Sequence, residues 1–250
     1  PFWGSDAVSM AMALDKLLSC RALAAEGIPV PFSASFRGNE DLASLPSLFG
    51  QFSRMVVKPR YEGSSKGIFS DSVAHSPLEA EKKIRRIWNR YDQPALLEEY
   101  LPGDEITVGI TGNGNPSVAG MMKITPLQAR EEFLYSLEEK RNYLERIRYE
   151  GPETIPPALR DQIGRCAVSA FSALELRDMA RVDFRLDSDG IPRIIDINPL
   201  PGLSPLYSDL PILHRLSGGT YAGLIRSILM SAFRRCSLDC SPFAREADAS

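Results

Sequence analysis

The alternation of apolar and polar residues predicts a β-hairpin in the last third of the chain. Residues 179–186 alternate with the two-residue period of a half-buried strand, and residues 191–197 form the return strand. Asp189-Gly190 lies between them and is typical of a two-residue turn, because both turn positions need a positive φ. With these two residues as the loop, Ser188 pairs with Ile191, and this register fixes every other pair along the hairpin.

One face of the predicted hairpin is polar. The register places Asp183 opposite Asp196 and Arg181 opposite Asn198. The other face is a core face that carries Val182, Phe184, Ile195 and Ile197. Two carboxylates that face each other across a sheet repel, so we expect a positive group between them. Two carboxylates and an amide are hard oxygen ligands that suit Mg²⁺. The alternative is a solvated face with incidental acids.

The remaining patterns predict helices mixed with mainly antiparallel strands. Helices are expected at residues 7–26, 41–52, 156–174 and 220–233, and one starts at the capping box of residues 76–79. Strands are expected at residues 55–57, 95–100, 105–111 and 118–124. Together they predict an α+β fold with two lobes, residues 1–98 and 99–236, and a disordered tail at residues 237–250. Residues 128–151 are highly charged and are expected to form an irregular excursion of unassigned role.

The composition is that of a globular protein and argues against several classes of function. The 250 residues are 44% hydrophobic and 24% charged with a net charge of −3, so no basic excess attracts nucleic acid or anionic lipid. No apolar run is long enough to cross a membrane. The four cysteines lack a paired CxxC motif and only two histidines are present, which disfavours a zinc site and histidine-based catalysis. A cytoplasmic protein that acts on small molecules fits best.

A glycine-serine loop follows the predicted strand at residues 55–57. Lys58 ends this strand, and residues 63–67 read Gly-Ser-Ser-Lys-Gly. Such a loop offers backbone N–H groups and hydroxyls to phosphate oxygens, and lysine adds positive charge. The spacing is neither that of a P-loop nor that of a dinucleotide-binding turn. It predicts a phosphate-binding loop, and the alternative is a plain surface hairpin.

Three acidic residues, Glu98, Glu99 and Glu105, flank Pro102-Gly103, where the two predicted lobes meet. Ligands commonly bind between lobes. Acids at such a junction can bind the amino group of adenine and the ribose hydroxyls, while the strand edge supplies amide contacts. The alternative is a hydrated acidic turn.

The order of these segments resembles the D-alanine–D-alanine ligase family of ATP-grasp enzymes. The resemblance runs from about Gly4 to Phe233, and its most specific parts are the Glu-Gly-Ser-Ser loop at residues 62–65 and the paired Arg-Val-Asp and Asp-Ile-Asn segments at residues 181–183 and 196–198. It implies an ATP-grasp fold with the nucleotide between two lobes. It also implies an ATP-dependent ligase that forms a dipeptide through an acyl phosphate, typically from D-alanine for peptidoglycan precursors.

The resemblance assigns roles to individual residues. The implied nucleotide-binding residues are Lys16, Lys58, Glu62, Gly63, Ser64, Ser65, Glu98, Glu99, Tyr100, Leu101 and Glu105. The implied ligands of two Mg²⁺ ions, with Mn²⁺ as an alternative, are Asp183, Asp196 and Asn198. The implied catalytic residues are Arg181, Gly202, Lys140 and Ser64. Among these, Arg181 and the backbone of Gly202 match groups that stabilise the oxyanion and the transferred phosphoryl group.

Departures from the family's pattern leave the substrate open. A carboxylate that is usually glutamate is Asp196, and the tyrosine that usually follows the active-site lysine is Arg141. A stretch that is usually serine-rich reads Leu-Ser-Pro-Leu-Tyr at residues 203–207. The chain also begins where the family is already past its N-terminal domain, which contributes to the amino-acid pocket. The alternatives are a ligase for other amino or hydroxy acids and a nucleotide-binding module without ligase activity. A homodimer is compatible with the sequence, which does not fix the oligomeric state.

Overall fold

Two antiparallel sheets and the helices that pack on them form an α+β fold, as the sequence predicts. The structure is a computed structural model that describes residues 1–63, 65–128, 131–136, 138–139 and 143–240. The predicted disordered tail therefore lies, from residue 241 onward, outside the described residues.

The N-terminal segment folds into two helices, α1 (Ala7–Leu14) and α2 (Lys16–Ala25). The single helix predicted at residues 7–26 is wrong, because the backbone is extended at Asp15, with φ −82° and ψ 95°. The Asp15 side chain accepts the first N–H groups of α2 and pairs with Arg60 at 2.6 Å. A residue that caps one helix in this way cannot also continue the preceding one. The break puts Lys16 at the start of α2.

The first sheet has four strands in the order β1-β4-β2-β3. Its strands are β1 (Ser33–Phe36), β2 (Met55–Pro59), β3 (Val73–Ala74) and β4 (Ala95–Glu99). A 3₁₀ helix (Asn39–Ser44), α3 (Leu45–Gln51) and α4 (Pro77–Tyr91) belong to the same part of the chain. The helix predicted at residues 41–52 is therefore split in two. Ser76 caps α4 as predicted, and Ile84 and Ile87 of this helix are buried against Met55 and Leu97 of the sheet.

The second sheet has five strands in the order β7-β6-β5-β8-β9. Its strands are β5 (Glu105–Gly112), β6 (Ser117–Pro126), β7 (Ile147–Glu150), β8 (Asp178–Leu186) and β9 (Pro192–Asn198). The prediction of an irregular excursion at residues 128–151 is wrong for its last part. There a short helix, α5 (Tyr143–Arg146), leads into β7, which pairs with β6. Residues 129, 130, 137 and 140–142 lie outside the described residues.

Helices cover both faces of the five-stranded sheet. They are α6 (Pro157–Ala173) on one face and α7 (Asp209–Leu216) with α8 (Tyr221–Arg235) on the other. The sequence did not predict α7. Leu23 of α2 also packs into the core beneath α6, although it belongs to the predicted first lobe. The division at residue 98 stays a prediction. No helix in the described part of the chain is long and apolar enough to span a membrane.

The β8–β9 hairpin keeps the predicted pairs at its far end but not at its turn. Asp183 pairs with Asp196 and Arg181 with Asn198, as predicted. The predicted pair Ser188–Ile191 is wrong, because the N–H of Asp187 donates to the carbonyl of Ile191 and leaves a three-residue loop that ends at Gly190, φ 77°. A bulge then restores the register.

The bulged residue is Ile195. Phe184 pairs with Ile194, whereas Asp183 pairs with Asp196, so Ile195 has no partner of its own on β8. The core face consequently carries Ile194, which is 2% exposed, instead of the predicted Ile195. Ile195 lines the cavity described below and turns its carbonyl toward Lys58.

Asp178 ties the start of β8 to both ends of the described chain. Its buried carboxylate accepts the Gly4 N–H at 2.7 Å and the Asn113 amide at 2.6 Å, and it pairs with Arg235 at 2.7 Å. Burial raises the pKa of Asp178, but the hydrogen bonds from Arg235, Asn113 and Gly4 outweigh it and lower that pKa below its usual value. The charged carboxylate therefore stabilises the fold at neutral pH.

We expect Asp178→Asn to lower the free energy of unfolding by about 3 kcal/mol at pH 7, because it leaves Arg235 without its anionic partner. The folded pKa is lowered, so the wild-type advantage is full above the unfolded pKa of about 3.9 and shrinks as the pH falls through the folded value. Urea denaturation at pH 7 and at pH 3 measures both effects. A difference between the two proteins that does not shrink at pH 3 would contradict this account.

Candidate active site

A cavity between the two sheets brings most of the predicted nucleotide-binding residues together. Its lining comes from β2 and β4 of the first sheet and from β5, β8 and β9 of the second. The predicted residues in this lining are Lys16, Lys58, Glu62, Ser65, Glu98, Glu99, Tyr100, Leu101, Glu105, Asp183 and Asp196. Apolar lining comes from Val56, Ile68, Leu134 and Ile195. Charged and apolar surfaces thus share one cleft.

Lys58 and Glu98 form a buried ion pair on adjacent strands. The Lys58 Nζ lies 2.7 Å from Glu98 Oε1, and the two residues are only 4% exposed. The same ammonium donates to the Ile195 carbonyl at 3.3 Å, which the bulge has made available. Burial lowers the pKa of Lys58, but Glu98 and the nearby Asp196 outweigh it, so the pKa lies above its usual value. Lys58 is therefore a permanent cation.

Lys16 bridges the glycine-serine loop and the hairpin. Its Nζ lies 3.1 Å from Asp196 Oδ1 and donates to the Glu62 carbonyl at 2.7 Å. Burial raises the pKa of Asp196, but the positive charges of Lys16, Lys58 and Arg181 outweigh it and lower that pKa. Asp196 is therefore charged at neutral pH and faces cations from both sheets.

Arg181 lies between two carboxylates. Its Nε and Nη2 donate to Asp183 Oδ1 and Oδ2 at 2.9 and 2.8 Å, and its Nη1 donates to Asp209 Oδ2 at 2.8 Å. Thr107 on β5 also donates to Asp183, at 3.1 Å. Burial lowers the pKa of Arg181, but the two carboxylates outweigh it and raise that pKa above its usual value.

These contacts correct one expectation about the hairpin. Among the described residues, no one cation forms an ion pair with both Asp183 and Asp196. Each carboxylate has a cation of its own, Arg181 for Asp183 and Lys16 for Asp196. The expected repulsion is thus offset by the protein itself.

Arg185 fixes the turn at which the chain passes from one sheet to the other. It donates to the Gly103 carbonyl at 3.3 Å and to the Phe133 carbonyl, and its Nη1 lies 3.6 Å from Glu105 Oε2. Its guanidinium also lies 5.3 Å from the centre of the Tyr100 ring. Arg185 therefore holds the turn, the segment at residues 131–136 and a predicted ribose-binding acid in one arrangement.

The glycine-serine loop touches the segment at residues 131–136 across the cavity. The Ser65 hydroxyl donates to the Tyr135 carbonyl at 3.0 Å. Ser65 has a φ of 58° and Gly67 a φ of 75°, so the loop turns sharply there. This contact joins two residues that both line the cavity.

Comparison with known proteins identifies the family. A family model described as the D-ala D-ala ligase C-terminus matches residues 27–230. The chain belongs to the D-alanine–D-alanine ligase family. It is 32% identical to the D-alanine–D-alanine ligase of Verminephrobacter eiseniae over 97% of this chain and 70% of that protein. It is 34% identical to the uncharacterized protein y4sG of Sinorhizobium fredii over 94% of this chain and 67% of that protein.

The fold of a solved family member agrees. The chain superimposes on the D-alanine–D-alanine ligase of Bacillus anthracis, complexed with ATP, with a TM-score of 0.75 and 26% identity over 95% of this chain and 72% of that one. The predicted ATP-grasp fold is confirmed.

Two further predicted residues of this ligase-family chain line a second cavity beside the first. Gly63 and Asn198 line a neighbouring cavity that Lys16 and Asp196 also line. Gly202 lies against Ser208, whose Oγ would be 2.6 Å from an added Cβ, so a side chain is excluded there. Ser64 and Lys140 lie outside the described residues, and their predicted roles stay predictions.

Two charged residues of the site, Arg185 and Asp209, were not predicted from the sequence. Arg185 follows Arg181 and Asp183 at two-residue spacing, so the strand period already placed it on their face. Asp209 starts α7, which the sequence did not predict, and no pattern connects it with Arg181 across 28 residues.

We expect Lys58→Met to lower the free energy of unfolding by about 3 kcal/mol, because it leaves Glu98 buried without a cation. The double variant Lys58→Met/Glu98→Leu should recover to within about 1 kcal/mol of the wild type, since it removes both charges. Urea denaturation measures each step.

The matched control is Glu81→Gln, which breaks the exposed helical pair of Glu81 with Arg85 at 2.8 Å. It should change the stability by no more than about 0.5 kcal/mol. Equal losses for the buried and exposed pairs would contradict the proposed burial effect.

Proposed function

We propose that this chain forms the nucleotide- and metal-binding part of an ATP-dependent carboxylate–amine ligase that makes a dipeptide. The observation that carries the proposal is the cleft lined by Lys16, Lys58 and the paired Asp183 and Asp196, with Arg181 held against Asp183. Nucleotide phosphates need cations, and metal ions need carboxylates. Both sets of groups lie here within a few ångströms.

The proposed reaction has two steps and needs no side-chain nucleophile. A carboxylate oxygen of the first amino acid attacks the γ-phosphorus of ATP, the bond to the β-phosphate oxygen breaks, and ADP leaves. The amine of the second substrate then attacks the acyl carbon, loses a proton, and phosphate leaves with the electron pair of the C–O bond. The products are an amide, ADP and phosphate. The protein accelerates such steps by position and charge neutralisation.

Three cations of the chain have two proposed roles, which are phosphate binding and stabilisation of the developing negative charge. Lys58, held by Glu98 and the Ile195 carbonyl, and Lys16, held by the Glu62 carbonyl, bind phosphate oxygens. Arg181 and the backbone N–H of Gly202 stabilise the negative charge that develops on the transferred phosphoryl and on the tetrahedral intermediate. Lys58 and Arg181 keep their protons throughout, because buried acids raise their pKa values.

The residues present fit a divalent ion. Asp183 and Asp196 are directly paired, and the Asn198 side-chain nitrogen donates to Asp196 Oδ2 at 3.4 Å, so two carboxylates and an amide, the donor types that Mg²⁺ prefers, lie together. No group of three or more acidic, histidine or cysteine residues suited to a metal occurs in the described part of the chain; the donor set here is two carboxylates and an amide. When bound, Mg²⁺ would neutralise and orient the phosphates. Two ions, or Mn²⁺ in their place, are proposals to be tested by titration.

The base and ribose ends of the cleft follow from its other lining. Glu99, Tyr100 and Leu101 form the edge proposed to pair with adenine, and Glu105 is proposed to bind the ribose hydroxyls. The lobe boundary is proposed between Glu98 and Glu99, at the end of β4. The glycine-serine loop, including Glu62 to Ser65, is proposed to close over the phosphates, with Ser64 and Lys140 contributing as the family resemblance implies.

Two classes of amino-acid substrate are candidates, and the experiment below distinguishes them. D-alanine is the first candidate, since two curated relatives are D-alanine–D-alanine ligases. Other amino or hydroxy acids are the second, because Leu206 and Tyr207 are exposed, at 76% and 69%, where the family receives its amino acid. We propose small molecules as partners, action in the cytoplasm toward peptidoglycan precursors, and a homodimer whose existence light scattering would test.

The decisive experiment measures ADP release by the purified full-length product of the gene with Mg·ATP against a panel of D- and L-amino acids and D-lactate. Release stimulated by D-alanine supports the family's typical substrate. Stimulation by another acid alone supports the second candidate. Tight nucleotide binding without any stimulated release would overturn the ligase proposal in favour of a nucleotide-binding module.

We expect Asp196→Asn to lower metal-dependent turnover at least about a hundredfold, because it removes a charged metal ligand. Without metal, the variant should be no more stable than the wild type, since Asp196 is already paired with Lys16. The matched control is Asp187→Asn, which changes a buried acid at the turn of the same hairpin, 2.9 Å from Arg193. Turnover assays and thermal unfolding measure both variants. Near-normal turnover of Asp196→Asn would contradict the assignment of Asp196 as a metal ligand.

A further inference from the structure

Asp209 gives Arg181 a second carboxylate partner that the proposed reaction does not by itself require. Its Oδ2 lies 2.8 Å from Arg181 Nη1, and both residues are 8% exposed. Its Oδ1 accepts the Tyr135 hydroxyl at 3.2 Å, and that hydroxyl lies 2.6 Å from the hydroxyl of Tyr149. Asp209 is therefore held by groups from two further segments.

Two glycines let α7 approach the sheet closely enough to put Asp209 there. Gly109 on β5 pairs directly with Arg181 on β8, and an added Cβ at Gly109 would lie 2.4 Å from Leu210 Cδ1. An added Cβ at Gly120 would lie 2.8 Å from the Leu213 carbonyl oxygen. The first residue of α7 thus reaches Arg181 because β5 and β6 carry no side chain where the helix lies.

The oxygens of Asp183 are largely in use. Oδ1 accepts from Thr107 at 3.1 Å and from Arg181 Nε at 2.9 Å, and Oδ2 accepts from Arg181 Nη2 at 2.8 Å. A carboxylate offers about four lone-pair sites. A divalent ion on Asp183 would compete for these sites and would repel the guanidinium that occupies them. A metal ion that takes an oxygen held by Arg181 therefore requires Arg181 to loosen its hold on Asp183.

We propose that Asp209 is a positioning residue that keeps Arg181 in the site when a metal ion takes Asp183. When a metal ion binds, Arg181 gives up Asp183 and keeps Asp209. Its buried guanidinium is therefore not left unpaired. Tyr135 fixes the Asp209 oxygen, and the backbone of Tyr135 accepts from Ser65 of the glycine-serine loop. The inference rests on the proposed function, because it assumes that Asp183 ligates metal.

The test measures metal affinity without turnover. Mn²⁺ is titrated into the protein with a non-hydrolysable ATP analogue, and free Mn²⁺ is read by electron paramagnetic resonance. We expect Asp209→Asn to weaken Mn²⁺ binding about tenfold, the low end for disturbing the outer shell of a metal ligand, because Arg181 without Asp209 competes more strongly for Asp183. Asp209→Glu should recover most of the affinity. Tyr135→Phe, a milder change, should weaken it about twofold, on the same reasoning applied to a more distant partner.

A double-mutant cycle separates positioning from simple charge. If Asp209 acts through Arg181, then Asp209→Asn in the Arg181→Met background should leave the Mn²⁺ affinity unchanged within about twofold. If its negative charge attracts the metal directly, the tenfold loss persists in that background and the proposal is overturned. Asp178→Asn removes a buried partner of Arg235, which lines no part of the cleft, so it controls for destabilisation and should not alter Mn²⁺ binding.

The outcomes separate this inference from the proposed function. Unchanged Mn²⁺ affinity in folded Asp209→Asn and in Tyr135→Phe overturns the positioning role whatever the ligase assay shows. Loss of Mn²⁺ binding in Asp183→Asn with normal binding in Asp209→Asn upholds the metal site and rejects the role of Asp209. Absence of any specific Mn²⁺ binding by the wild type overturns both. The ligase assay with amino acids then tests turnover alone.

Discussion

The register of the β8–β9 hairpin is the constraint on which the site depends. It fixes Asp183 and Asp196 opposite each other in the cleft between the two sheets, where charge is poorly solvated. Two facing anions in such a place require cations, and the fold supplies them from three directions. Arg181 comes from the same strand, Lys16 from the break between α1 and α2, and Lys58 from the other sheet. The two sheets meet where this compensation is made.

Compensated charge of this kind specifies an arrangement more than it stabilises a fold. Burying an ion costs several kcal/mol, and the attraction to a well-placed partner only roughly offsets this cost. Removing one partner leaves the other charge buried without compensation, so the protein bears the full cost. Stability comes instead from the apolar cores, such as those under α4 and α6. Few other arrangements of the polar groups are possible, because moving any one of them leaves a charge unpaired. The bulge at Ile195 is one consequence, since it directs a carbonyl at Lys58 that a regular strand would have kept in the ladder.

The sequence could predict whatever depends on local period and turn chemistry, and much of the rest follows from packing that it does not display. The hairpin, its facing acids and most helices were predictable from alternation and capping. The pairing of Asp183 with Asp196 came out right although the loop has three residues instead of two, because the bulge at Ile195 moves the register back by one. The break at Asp15 was hidden because its cause, Arg60, lies 45 residues away. Asp209 was hidden for the same reason, since glycines on other strands decide where α7 lies.

The contacts of Lys16 imply that phosphate and metal would assist each other in binding. In the structure Lys16 pairs with Asp196. The ammonium therefore occupies the carboxylate proposed to bind metal, and the carboxylate occupies the ammonium proposed to bind phosphate. A metal ion on Asp196 would displace the ammonium and leave it available to a phosphate oxygen. A phosphate on Lys16 would in turn release the carboxylate for the metal. Because such coupling is reciprocal in free energy, whatever affinity the metal gains from nucleotide the nucleotide gains from metal. In the proposed function, these ion pairs keep the charges of the site balanced while neither ligand is bound.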